Sequence, residues 1–185
     1  GHEFINDFFI MRESMKRDDD IIKLISDYKQ QLKKRDFSVN KNDEEGLTSI
    51  SATRSKNANS YTGPQECKTC HSAEYEKWSK TGHGHAFDTL ERNDDHYNPR
   101  CLKCHTLGFM SSDGYVNARL TPNHKNVSCE SCHGRGDYHA KLEAGEEIGV
   151  KKVFMKKVNC TECHDEENSP AFDRDKYWEK IAHGK

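Results

Sequence analysis

Hydrophobic residues follow a helical period in one long segment near the amino end of the chain. Across residues 18–35, apolar side chains recur every three or four positions and fall on one stripe of an α-helix. Aspartates occupy the first turn and basic residues the last, the charge order that the helix dipole favours. The stripe comprises Ile21, Ile22, Leu24, Ile25, Tyr28 and Leu32. The pattern predicts an amphipathic helix that packs on the rest of the chain, on a missing domain or on another subunit.

The remaining pattern divides the chain into three regions. Residues 38–60 are rich in Ser, Asn, Lys and Asp and show no sustained period, which predicts a surface linker between a helical segment at 1–37 and a domain at 61–185. Within that domain, 72–93 and 173–183 are predicted to be helical. Turn residues at both ends of 98–117 predict a hairpin-like loop. The expected fold is mainly α with extensive loops and little or no sheet.

Composition shows that the chain has little apolar material for an ordinary core. Hydrophobic residues make up 32% of the 185 residues, charged residues another 32%, and the mean hydropathy is -1.06. On these values alone, disorder is a live alternative. The net charge of -2 gives no case for binding nucleic acid or an anionic membrane surface. No apolar run approaches the roughly 18 to 20 residues of a membrane span.

The cysteines change this picture, because all eight fall in four copies of Cys-x-x-Cys-His. In c-type haem attachment, two cysteines form thioethers with the porphyrin and the adjacent histidine binds the iron. We therefore predict four haem c groups, whose porphyrins supply a covalently held apolar core. The predicted attachment residues are Cys67, Cys70, Cys101, Cys104, Cys129, Cys132, Cys160 and Cys163, and the predicted proximal iron ligands are His71, His105, His133 and His164.

Two other uses of paired thiols fit the motif less well. Four Cys-x-x-Cys pairs could form two structural zinc sites, but the four histidines that follow them would then have no role. Disulfides within each pair would close small strained rings and would not require a histidine either. Haem attachment is the use that explains every residue of the motif.

Seven further histidines are candidates for the second axial ligand of each iron. His83 and His85 are two residues apart, so on a helix they would project roughly 200° from each other and could reach two different irons. His139 follows glycines that permit a sharp turn beside a porphyrin. His183 lies in the predicted terminal helix with aromatic companions. We predict these four as distal ligands.

The other three histidines are weaker candidates. His96 and His124 lie in polar turns, where a solvated side chain is the expected state. His2 could bind an iron of a neighbouring molecule if subunits form chains.

Several stretches occur in an order that resembles the tetrahaem cytochrome c-554/c-prime family. They are YTGPQECKTCH, WSKTGHGHAFDTL, CLKCHTLGF, NVSCESCHGRGDYH, CTECHDEENSPAF and a closing YWEKIAH, and they span residues 61–183. The resemblance implies a mostly helical redox carrier with haems packed in pairs. It also implies that the four predicted distal histidines are ligands. Arg135 stands where the family more usually has proline.

Further resemblances concern the amino-terminal part and the partners. Residues 8–37 are similar to the segment that joins such haem domains to metallophosphoesterase-like domains, which implies a missing amino-terminal domain. A helix and linker before a tetrahaem unit are also similar to subunits of extracellular cytochrome filaments, which implies a homopolymer. Other implied partners are redox proteins and extracellular electron acceptors.

The expected function is electron transfer, not catalysis, because two imidazoles leave no open position on an iron. The alternative is a multihaem oxidoreductase that acts on a small nitrogen or sulfur compound at one five-coordinate haem. Since haem c is attached outside the cytoplasm, we expect a periplasmic or extracellular protein whose export signal is not present in this chain. Charged residues beside the motifs that could tune haem potentials, although each is more often solvated, are Arg100, Lys103, Glu130 and Arg135.

Overall fold

Short helices joined by long loops make up the architecture. The structure, a computed structural model, describes residues 18–35, 58–150, 153 and 159–183. Within these ranges there are eight α-helices: α1 Asp19–Arg35, α2 Pro64–Lys68, α3 Ser72–Ser79, α4 Ala86–Arg92, α5 Pro99–His105, α6 Cys129–His133, α7 Asp137–Glu143 and α8 Arg174–Ile181. Three 3-10 turns lie at His83–His85, Pro122–His124 and Cys160–Glu162. The described part of the chain contains one isolated β-bridge, Thr106 with Lys125, and no strand, which confirms the mainly α prediction.

Helix α1 is docked on the haem-motif region by its carboxyl-terminal half. Leu32 is buried, and Lys29 Nζ donates to Asn93 O at 2.7 Å and lies 3.0 Å from Asp95 Oδ1. Because Asn93 directly follows α4, the lysine caps the carboxyl end of that helix. The predicted amphipathic helix is confirmed, but most of its apolar stripe faces outwards. The exposed side chains, 43% to 65% accessible, are Ile21, Ile22, Leu24, Ile25 and Tyr28.

The segment 72–93 is not one helix, so that prediction is wrong. Helix α3 ends at Ser79, a 3-10 turn follows at His83–His85, and α4 begins at Ala86. Gly84 packs so closely on the end of α3 that a Cβ at this position would lie 2.7 Å from Trp78 O. A continuous helix cannot make this close return, which needs a residue without a side chain.

The segment 98–117 begins as helix α5 and continues as a closed loop. Asn98 Oδ1 accepts the Arg100 N–H at 3.1 Å and caps the helix, and Pro99 occupies its first turn. After the helix, the Tyr115 N–H donates to Leu107 O at 2.8 Å and closes the predicted hairpin-like loop without forming strands.

The apolar core is small. Phe87, Leu90, Leu102 and Tyr115 form one buried cluster between α4, α5 and the following loop. Apart from Pro64, which is also buried, the buried apolar side chains of the described residues are Leu32, Ala86, Phe87, Leu90, Leu102, Leu107 and Tyr115. No helix among those residues has the length and apolar character needed to cross a membrane. The interior thus offers little apolar packing of its own, as the composition predicts.

Candidate functional site

Each Cys-x-x-Cys-His motif is folded as a single helical turn. The His71 N–H donates to Cys67 O and the His164 N–H to Cys160 O, both at 2.9 Å. The second and third motifs lie within α5 and α6. Since positions i, i+3 and i+4 share one face of a helix, the two thiols and the imidazole of a motif point to the same side. All eight cysteines are free thiols, the form from which thioethers are made.

Thiols of different motifs meet in two places. The Cys67 thiol interacts with that of Cys129, and the Cys104 thiol with that of Cys163. The Cys129 contact and burial raise the pKa of the Cys67 thiol, while burial and the Cys104 contact raise the pKa of Cys163 to about 12. The first and third motifs therefore form one pair, and the second and fourth form another.

Two cavities lie against the motifs. The larger, about 1270 Å³, is lined by residues of the second, third and fourth motifs, including His105, Cys132 and His164. The smaller, about 320 Å³, is lined by His71 with both thiols of the first motif and by His139. Ordinary small-molecule sites enclose about 300 to 1,000 Å³, so the larger cavity has room for more than one ligand of that size.

Three motif histidines each face a second histidine. The separations between ring centroids are 6.0 Å for His71 and His139, 6.0 Å for His83 and His164, and 5.8 Å for His133 and His183. A metal ion bound by two opposed imidazoles, with metal–nitrogen bonds of about 2 Å, places the ring centroids roughly 6 Å apart. The three separations therefore suit one iron between each pair.

Several of these imidazoles are fixed by a hydrogen bond at Nδ1. The Nδ1 atom lies 2.6 Å from Ala86 O in His105 and 2.7 Å from Ile181 O in His183. A carbonyl oxygen only accepts, so Nδ1 carries the proton and Nε2 keeps a free lone pair. In His164, Nδ1 lies 3.1 Å from Ser169 Oγ. Bonds of this kind orient metal-binding histidines in proteins, and the residues present fit haem iron.

Burial favours the neutral form of two of the paired histidines. The pKa of His83 is lowered by burial and by the nearby His164, and that of His133 by burial and by the neighbouring His183 and His71. Neutral imidazole is the form that binds a metal ion.

His85 and His105 stand apart from the three pairs. His85 lies on the same 3-10 turn as His83, but its side chain is 61% exposed and its Nδ1 lies 3.1 Å from Asp88 Oδ2. Within the described ranges, neither the His85 ring nor the His105 ring lies about 6 Å from another histidine ring, as the rings of the three pairs do. His85 as a distal ligand stays a prediction, without a facing motif histidine.

His96 and His124 are half-buried, so the expectation of solvated side chains is wrong. The His96 ring packs against Tyr97 at 4.1 Å and against Phe87 at 6.3 Å between centroids. The Nδ1 atoms of both histidines are buried and have no hydrogen-bond partner in the described part of the chain. Packing of the polar turns onto the Phe87 cluster and the 106–107 segment covers them.

Two charged residues beside the motifs have specific structural partners that the sequence did not indicate. Glu130 is buried and accepts hydrogen bonds from backbone N–H groups of the 62–63 and 136 positions. Arg135 forms an ion pair with Asp113. Arg100, by contrast, pairs with Glu167 on the exposed surface. The one signal in the sequence that points to Glu130 is its position between the two cysteines of a motif.

Two comparisons with known proteins identify similar sequences. Residues 66–134 match the family described as cytochrome c554 and c-prime. The chain is 30% identical over 134 residues to cytochrome c-554 of Nitrosomonas europaea, an alignment that covers 56% of this chain and 57% of that protein. The chain thus spans little more than half the length of this relative. No solved structure matches the chain.

Proposed function

We propose that the chain transfers electrons through four haem c groups, because residues 66–134 match the cytochrome c554 and c-prime family, as the motif order predicts. The family match supports a haem-based redox role. Bound haem supplies an iron that alternates between Fe(III) and Fe(II). The observation that carries the proposal is the spacing of the three histidine pairs, 5.8 to 6.0 Å between ring centroids.

Three of the four haems are proposed to have two histidine ligands. In each case the motif turn supplies the thiols and one imidazole, and a distant segment supplies the other imidazole. The proposed axial pairs are His71 with His139 for the first haem, His133 with His183 for the third and His164 with His83 for the fourth. Two histidines on one iron exclude a substrate from it, which suits a carrier of electrons.

The second haem, attached at Cys101 and Cys104, has His105 as its assigned ligand. His85 is exposed, and among the described residues the His105 ring has no second histidine ring at the spacing of the three pairs, which favours an open sixth position over ligation by His85. This observation supports the alternative function, in which a small nitrogen or sulfur compound reacts at one five-coordinate haem. His85 remains the candidate sixth ligand if the side chains rearrange around the haem.

The contacts between motifs suggest a route for electrons. Thioethers join a c-type haem at the porphyrin edge, so haems held at these motifs would be close where Cys67 meets Cys129, first to third, and where Cys104 meets Cys163, second to fourth. Helix α8 spans the two pairs. Its Tyr177 ring lies 5.5 Å from the His164 ring, and His183 follows its end. The proposed order is therefore first, third, fourth, second.

Partners and location follow from the same chemistry. We propose redox proteins or extracellular electron acceptors as partners, and a periplasmic or extracellular location, because c-type haem is attached outside the cytoplasm. The exposed apolar stripe of α1 supports contact with a further copy of the chain, as in a cytochrome filament, or with a missing amino-terminal domain.

Haem content and spin state test the proposal together. Intact mass of the purified chain, with the alkaline pyridine spectrum of its haem, is expected to give four covalent haems. Electron paramagnetic resonance of the oxidised protein is expected to show three low-spin irons and one high-spin iron. A colourless folded protein, or a protein that binds zinc at the motifs, would end the proposal.

Ligand binding at the high-spin iron distinguishes the electron-carrier function from the oxidoreductase function. If the second haem is open, cyanide converts the high-spin signal to a low-spin one without changing the other three. If all four irons are low-spin and none binds cyanide, the oxidoreductase alternative is excluded, and His85 becomes the sixth ligand to test.

A further inference from the structure

A buried carboxylate lies inside the third motif. Glu130, between Cys129 and Cys132, is 3% exposed. Its Oε1 accepts the Gly136 N–H at 2.7 Å, its Oε2 accepts the Gly63 N–H at 2.8 Å, and the Thr62 N–H lies 3.1 Å from both oxygens. Because both oxygens accept backbone N–H groups, the site suits a carboxylate acceptor.

The three N–H donors belong to two separate parts of the haem site. Thr62 and Gly63 lead directly into α2, which carries Cys67 of the first motif. Gly136 leads directly into α7, which carries His139, the proposed distal ligand of the first haem. One side chain therefore connects the third motif to both sides of the first haem.

The close approach at Gly63 depends on that residue. Its φ of +88° is in the region that favours glycine, and a Cβ would lie 3.0 Å from Asn123 O. The backbone amides of 62 and 63 can therefore turn towards the carboxylate only because position 63 has no side chain.

The hydrogen-bond donors to Glu130 are backbone amides. Among the described residues, no lysine, arginine or histidine forms an ion pair with it within 4.0 Å. Arg135 is held by Asp113, whose contact is the main cause of its raised pKa, with Glu130 a smaller one. A buried charge acts strongly on its surroundings, because little water screens it.

We propose that Glu130 is a positioning residue for the first and third haems, which holds their attachment sites together and, through its negative charge, favours Fe(III) over Fe(II) in both. This inference rests on the proposed haem function. The first effect comes from the hydrogen bonds to 62, 63 and 136. The second comes from the charge, since a nearby anion stabilises the more positive oxidation state.

The test is Glu130→Gln in the full haem-loaded chain, measured by spectroelectrochemical titration. Glutamine has nearly the same shape but no charge, and its amide nitrogen cannot accept the backbone N–H groups. The Fe(III)/Fe(II) couples of two haems are expected to become easier to reduce. The equilibrium constant for reduction should rise about tenfold, which raises the reduction potential of a one-electron couple by about 59 mV. The other two couples are expected to stay unchanged.

The matched control is Glu66→Gln. Glu66 precedes Cys67 and lines the smaller cavity, but it is exposed, so the same loss of charge is screened by water. A smaller shift is expected. If the two variants shift the couples equally, or if Glu130→Gln shifts all four alike or none, the proposal is wrong.

The positioning role is tested separately by hydrogen exchange in Glu130→Asp. This test remains possible if the Glu130→Gln protein fails to accumulate. Glu130→Asp keeps the charge, but its shorter side chain cannot reach all three N–H groups. Hydrogen exchange is expected to speed up at both 62–64 and 136–139 in Glu130→Asp and not in Glu66→Gln. Unchanged exchange at both segments would refute the positioning role. A wild-type chain without haem would instead refute the proposed function, so the two failures are distinct.

Discussion

Arg135 holds Asp113 in a two-point ion pair. Arg135 Nε donates to Asp113 Oδ2 at 2.8 Å and Nη2 donates to Oδ1 at 2.9 Å, and the Asp113 side chain is only 7% exposed. The guanidinium lies 4.5 Å from the centre of the Tyr61 ring, and Asp113 also accepts the Tyr61 N–H at 3.1 Å. Where the resembling family more usually has proline, this chain thus has a cross-link between three loops that proline could not form.

Loss of this ion pair is expected to destabilise the chain in a pH-dependent way. Asp113→Asn should lower the free energy of unfolding by about 2 kcal/mol near neutral pH, because it removes charge-assisted hydrogen bonds from a buried group. Arg135 is the main cause that lowers the pKa of Asp113 below its ordinary 3.8. The stabilisation is therefore present above about pH 4 and is lost as pH falls through the lower folded-state value.

Guanidinium unfolding of wild type and Asp113→Asn across this pH range measures the effect. The exposed Asp175, also next to an arginine, is the control, and Asp175→Asn is expected to change stability little. A difference between wild type and Asp113→Asn that stays constant into strong acid would show that packing, not charge, is responsible.

Replacement of His139 is expected to change the spin state of one iron. The His71 and His139 rings are 6.0 Å apart, so His139→Ala should leave the first haem with one protein ligand and add one high-spin iron to the spectrum. Electron paramagnetic resonance counts the irons. His96→Ala, which removes a half-buried histidine outside the pairs, is the control and should leave the count unchanged. An equal number of high-spin irons in the two variants would show that His139 is not the second ligand of the first haem.

His83 and His85 are expected to behave differently although they share one turn. His83 faces His164 at 6.0 Å, so His83→Ala should add one high-spin iron, whereas His85 is exposed and His85→Ala should leave the spectrum as in wild type. Each variant is the control for the other. A new high-spin iron in His85→Ala would show that His85 is the sixth ligand of the second haem, as the sequence predicts.

The stripe on α1 is expected to drive self-association. Ile25 is half exposed on the apolar face, so Ile25→Asp should abolish any rise in mass with concentration, because a charge there is costly in an apolar contact. Gln30→Asp places the same side chain on the polar face and should leave association unchanged. Analytical ultracentrifugation at several concentrations is the measurement. If the wild-type chain has the mass of a monomer at every concentration, the homopolymer proposal is wrong.

The sequence allowed prediction of the features that are local. A Cys-x-x-Cys-His turn needs only five consecutive residues, and the period of α1 lies within one segment, so the motifs and that helix could be identified directly. His139 and His183 were also predicted, from nearby glycines and aromatic residues and from the family pattern. Their rings lie 6.0 and 5.8 Å from the His71 and His133 rings, and their role as iron ligands stays a prediction.

Features that depend on distant segments could not be predicted in this way. The break between α3 and α4 arises because Gly84 packs on Trp78, and helical periodicity does not register such a contact. The difference between His83 and His85 depends on which side of the turn faces the fourth motif. Glu130 looked like a solvated charge because its donors, at 62, 63 and 136, come from other parts of the chain.

The scarcity of buried apolar side chains has a consequence for biosynthesis. A polypeptide with so few such side chains across its described residues gains too little from collapse to offset the entropy of ordering its loops. We therefore expect haem attachment to precede compaction, on a chain that is still open to the enzymes that join haem to thiols. In a host without those enzymes, newly made chains would stay extended and proteases would degrade them.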